Sequence, residues 1–86
     1  MASTRLRIEL CGRLAEACGR EVDLDLPEAG LPVAALMVAL GDAYPALGDA
    51  LSRGRIRACV NEAIVPSATV VRPGDEVALF PPVSGG

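Results

Sequence analysis

The sequence predicts an α+β domain, a mixed sheet with one main helix packed on one face. Three observations carry this. Short segments alternate apolar and polar residues, one longer segment repeats its apolar residues at helical spacing, and turn residues separate them. The chain has 86 residues, the size of one small domain. Its hydrophobic fraction of 51% suits a packed core rather than a disordered chain.

The first strand is read from Leu6, Ile8 and Leu10, alternating with Arg5, Arg7, Glu9 and Cys11. A short helical stretch follows from Arg13 to Cys18, closed by Gly19. Val22, Leu24 and Leu26 alternate with Asp23 and Asp25 in a second strand, which Pro27 ends. Residues 28–31 form a loop, and Pro32 is expected as the first helical residue. Val33, Leu36, Met37, Leu40 and Tyr44 then recur at the 3.6-residue period until Pro45. This helix begins without a Ser, Thr, Asp or Asn cap, so its first turn is expected to fray. Leu47 and Leu51 suggest one further short turn.

Ile56, Ala58 and Val60 mark a third strand, and Asn61-Glu62 a turn, because Asn tolerates left-handed backbone. Ile64 and Val65 form a short strand that Pro66 confines to an edge. Arg72-Pro73-Gly74-Asp75 suits a type II turn. The last strand, 76–80, turns Val77 and Leu79 to the core and Glu76, Ala78 and Phe80 outward.

Composition excludes several functions. The net charge is -3 and the aromatic residues are Tyr44 and Phe80, so neither the basic stripe nor the stacking rings of a nucleic-acid binder are present. No apolar run approaches the roughly 18–20 residues of a membrane span, and no signal peptide is visible. A cytoplasmic protein without nucleic-acid or membrane partners is expected. Cys11, Cys18 and Cys59 form no CxxC pair and there is no His, so no metal site is expected. Eight Arg and no Lys leave no side-chain amine for a Schiff base or an isopeptide bond.

The end of the chain carries the chemistry. Pro81-Pro82 stiffens the exit from the sheet, and Val83-Ser84-Gly85-Gly86 follows. Six residues reach about 20 Å. Glycines without Cβ thread a channel too narrow for other residues. A partner enclosing the terminal carboxylate could convert it with ATP to an acyl-adenylate, open to attack by a persulfide or thiol. This chain has no His, no Lys and no phosphate-cradling loop, so the partner must supply catalysis.

Pro73-Gly74-Asp75-Glu76-Val77-Ala78-Leu79-Phe80-Pro81-Pro82-Val83-Ser84-Gly85-Gly86 resembles the C-terminal signature of the molybdopterin synthase small-subunit family (MoaD type). Val60 to Val65 resembles that family's strand-turn-strand, and Leu6 to Gly19 its first strand and following turn. The resemblance implies a ubiquitin-like β-grasp domain over residues 1–80 and a flexible tail over 81–86. It implies a sulfur carrier that is not an enzyme on its own and binds no cofactor. Gly86 would carry the adenylate and then the thiocarboxylate as a covalent modification, and Gly85 would give access. Sulfur would pass to a pyranopterin precursor to build the dithiolene of the molybdenum cofactor.

Two partners are implied: the synthase large subunit and a ubiquitin-activating-like adenylyltransferase. The tail residues Pro81, Pro82, Val83 and Ser84 would enter the partner. An apolar patch of Cys11, Ile64 and Phe80 would dock. An aromatic is common in the family where this chain has Cys11, and an Arg where it has Ala15. Carriers for thiazole or cysteine synthesis, and ubiquitin-like protein modifiers, stay open as alternatives. Cys11 beside the tail's root also raises the idea of a transient thioester or redox control, which requires a lowered thiol pKa.

Overall fold

The computed structural model describes residues 3–53 and 56–81. The elements in chain order are β1 (Ser3–Leu10), α1 (Arg13–Cys18), β2 (Glu21–Pro27), β3 (Leu31–Pro32), α2 (Val33–Ala43), α3 (Pro45–Arg53), β4 (Arg57–Val60), β5 (Ala63–Val65), β6 (Val70–Val71) and β7 (Val77–Phe80).

Five strands form one mixed sheet in the order β2-β1-β7-β4-β5. β1 pairs antiparallel with β2 and parallel with β7, while β4 pairs antiparallel with both β7 and β5. The last strand therefore lies in the middle of the sheet, which places the exit of the chain beside the end of β1. β5 lies at the edge, as Pro66 predicts.

Alternation along the strands decides the two faces. Leu6, Ile8, Leu10, Val22, Leu24, Leu26, Ala58, Val60, Val77 and Leu79 are buried on the core side. Val33, Leu36 and Leu40 of α2 and Leu47 of α3 close over them. The opposite face carries Arg5, Arg7, Glu9, Arg57, Cys59, Ala78 and Phe80, all exposed or half-buried.

Three expectations need correction at α2 and α3. Pro32 is not the first helical residue. It pairs with Val70 in a two-stranded β3–β6 ladder and keeps extended backbone (φ -61°, ψ 151°). That ladder has no local signal, because its halves lie about forty residues apart and each is two residues long. Nor is the first turn left open to fray. The N–H of Val33 donates to the Thr69 carbonyl at 2.8 Å and that of Ala34 to the Ser67 carbonyl at 3.0 Å. A distant loop supplies the caps that the local sequence lacks. The turn expected around Leu47 is a nine-residue helix, α3, started by Pro45 and anchored by fully buried Leu47.

The two predicted turns are present. Gly74 has φ 95° and the Asp75 N–H donates to the Arg72 carbonyl at 3.1 Å, as the type II turn requires. Asn61 and Glu62 both have positive φ, 52° and 71°. The turns are tied together. The Asn61 Nδ2 donates to Asp75 Oδ1 at 3.0 Å, Asn61 Oδ1 accepts from the Glu76 N–H at 3.0 Å, and the Arg72 N–H donates to Asp75 Oδ2 at 2.8 Å. These bonds fix the start of β7 against the β4–β5 turn.

Candidate docking face and tail root

The exit of β7 is built by three neighbouring strands. Phe80 is the cross-strand partner of Arg57 on β4. On the other side the Cys11 N–H donates to the Leu79 carbonyl at 3.0 Å, so the chain beyond β1 still follows β7 for one residue. Gly12 then turns away with φ 59° and ψ -134°, a region favouring glycine. The turn lets Pro81 lie over it: a Cβ on Gly12 would stand 3.2 Å from Pro81 Cγ. Gly12 is a floor under the tail's first residue. Sequence reasoning did not assign it that role, although a glycine two residues past a strand that neighbours the last strand is a usable signal.

The patch expected from the resemblance lies on the outer face. Phe80 and Cys11 are half-buried there, and Ile64 is 61% exposed. Register places Ile64 opposite Cys59, Cys59 opposite Ala78, and Ala78 opposite Glu9. Ala78 and Cys59 therefore join Phe80 to Ile64, a continuity that only the register supplies. Pro82, Val83, Ser84, Gly85 and Gly86 lie outside the described residues.

Burial, then the Glu9 carboxylate, then Cys59 push the Cys11 thiol above its ordinary pKa of 9.0. A thiol so placed stays protonated near neutrality, so the thioester or redox idea loses the activation it required. Among the described residues no cluster of three or more His, Cys, Asp or Glu could hold a metal ion. No helix among them is long and apolar enough to cross a membrane. A groove lies on the helix side, between α2, α3 and the β4–β5 edge, lined by Met37, Val38, Leu51, Ile56 and Val65 among others. Its lining is mainly apolar, with Asp42, Ser52, Arg57 and Ser67 beside those side chains.

A family model described as the ThiS family matches residues 8–86, from the middle of β1 to the terminal glycine pair. The chain belongs to the ThiS family. This ThiS-family chain is 38% identical over 79 residues to the molybdopterin synthase sulfur carrier subunit of Mycobacterium tuberculosis, covering 87% of this chain and 89% of that one. It is 43% identical over 37 residues to the protein of the same name from Haemophilus influenzae, covering 43% of this chain and 46% of that relative's length. Among solved structures it resembles SAMP1, small archaeal modifier protein 1, from Haloferax volcanii, with a TM-score of 0.77 and 33% identity over 96% of this chain and 100% of that one. The ThiS-family fold is the ubiquitin-like β-grasp.

Proposed function

We propose that the chain is the sulfur-carrier small subunit of molybdopterin synthase, with no catalytic machinery of its own. In this reading a ubiquitin-activating-like adenylyltransferase joins the Gly86 carboxylate to AMP and releases pyrophosphate. Sulfur at the oxidation level of hydrosulfide then displaces AMP, the acyl C–O bond to phosphate breaking as the C–S bond forms, and leaves a thiocarboxylate. The outer face around Phe80 docks on the synthase large subunit, Pro81 to Ser84 extend into it, and Gly85 lets the reacting end pass. The thiocarboxylate sulfur passes to a pyranopterin precursor as the dithiolene forms.

The observation that carries the reading is the family match through Gly86, joined to 38% identity with a relative named as such a subunit. The geometry supports it. The tail starts at the centre of the sheet, beside an apolar strip on the face not covered by helices. Reconstitution tests it: the thiocarboxylated chain, mixed with the large subunit and the precursor, should yield the pterin dithiolene. Sulfur delivery to a thiazole- or cysteine-forming enzyme instead would move the chain to another pathway.

The likeness to SAMP1 favours one second reading, a ubiquitin-like modifier joined through Gly86 to lysines of other proteins. It predicts covalent adducts about 9 kDa heavier than their targets, against the 8.8 kDa of this chain.

A further inference from the structure

The outer face is divided by charge. Its β1–β2 half is a lattice of opposite charges, with Arg5 Nε 3.7 Å from Asp25 Oδ1 and Arg7 Nε 3.8 Å from Glu21 Oε1. In the other half the strip of Phe80, Ala78, Cys59 and Ile64 is uncharged. Arg57 stands at its tail-root end as the cross-strand partner of Phe80. It is exposed, and among the described residues it has neither an ion-pair partner nor a hydrogen-bonded side-chain partner. Glu9 flanks the strip from the opposite side, as the partner of Ala78. A cation and an anion thus bracket the apolar strip where the tail leaves the sheet.

We infer that Arg57 is a specificity residue of the docking face, pairing with a carboxylate on the synthase large subunit that receives the tail. The inference rests on the proposed function and deepens it. Apolar burial around Phe80 supplies most of the affinity but is indifferent to rotation about the strip. A charge at one end fixes which way the tail points. It also raises the rate of encounter and disfavours partners that present a cation there. Arg5 and Arg7 face carboxylates of β2, whereas Arg57, without such a partner among the described residues, is open to an external acid.

The test measures binding of the full-length chain to the large subunit of the same organism by titration calorimetry, at about 0.05 M and about 0.5 M salt. Arg57→Glu should weaken binding roughly tenfold or more at low salt, Arg57→Gln by about threefold, and Arg57→Lys least. The Arg57→Glu deficit should shrink at high salt. All three variants should melt as the wild type does. Wild-type affinity in Arg57→Glu, or an equal deficit at both salt concentrations, overturns the role of Arg57. Phe80→Ala separates the two levels. If it weakens binding while Arg57→Glu does not, the docking face stands and only the charge inference fails. If the wild type does not bind the large subunit at all, the proposed function fails and the inference with it.

Discussion

Gly12 and Pro81 are in contact across the junction where β1 ends and the tail begins, and the contact exists because Gly12 has no side chain. The closest approach of an added Cβ would be 3.2 Å, and φ is 59°. The glycine that turns the chain away after the first strand thereby bears on the direction in which the last strand is released. Gly12→Ala should cost about 1–3 kcal/mol through its backbone conformation. It should also displace Pro81 and weaken docking beyond what the stability loss explains. Urea unfolding and partner titration on the same sample check both effects.

Leu79 and Phe80 are adjacent in β7 and face opposite ways. Leu79 is fully buried, whereas Phe80 is half-buried on the outer face. Leu79→Ala should lose about 2–5 kcal/mol of stability as a core truncation. Phe80→Ala should leave unfolding nearly unchanged and weaken partner binding by roughly 1–3 kcal/mol. Equal binding by Phe80→Ala would remove its role as an anchor.

Tyr44 closes one edge of the sheet. Its hydroxyl donates to the Asp23 carbonyl at 2.7 Å and accepts from the Asp23 N–H at 3.2 Å, so both outward backbone groups of Asp23 on edge strand β2 are engaged. Free edges invite pairing with other chains. Tyr44→Phe keeps the ring and should cost about 1 kcal/mol. It should also raise concentration-dependent self-association, read by sedimentation velocity.

Asp75 gives the fold an acid sensitivity with a definite sign. The Arg72 N–H, then the Asn61 side chain, hold its carboxyl below the ordinary value of 3.8. The folded pKa is depressed, so the stabilisation is complete above the unfolded value and disappears as pH falls through the folded one. Stability measured from pH 7 to pH 2 should drop below about pH 4, partly through this group. Asp75→Asn should flatten that part of the profile and lower stability at pH 7.

Much of the fold was legible locally. Period-two alternation marks β1, β2, β4 and β7 of the main sheet, and the same alternation puts Phe80 outside and Leu79 inside, while β5 is marked by Ile64-Val65 before Pro66. The parts that were not legible are long-range. The caps of α2 come from Ser67 and Thr69, more than thirty residues away, and the β3–β6 ladder depends on the same loop. Glu62 in left-handed backbone was also not evident, because Asn61 alone carries the turn signal. At the docking face, the family resemblance points to Cys11, Ile64 and Phe80. The bridging Ala78 and Cys59 and the place of Arg57 beside Phe80 emerge only from register, which a strand's own sequence does not specify, and the floor at Gly12 from its positive φ and its closeness to Pro81.

The central claim is that Gly86 carries sulfur. Intact-mass measurement of the chain after incubation with its adenylyltransferase, ATP and a sulfur donor tests it most directly. Replacement of one carboxylate oxygen by sulfur should add about 16 Da, confined to the last residue and abolished by deletion of Gly86. An unchanged mass after that incubation, or normal sulfur delivery by the chain lacking Gly86, would contradict it.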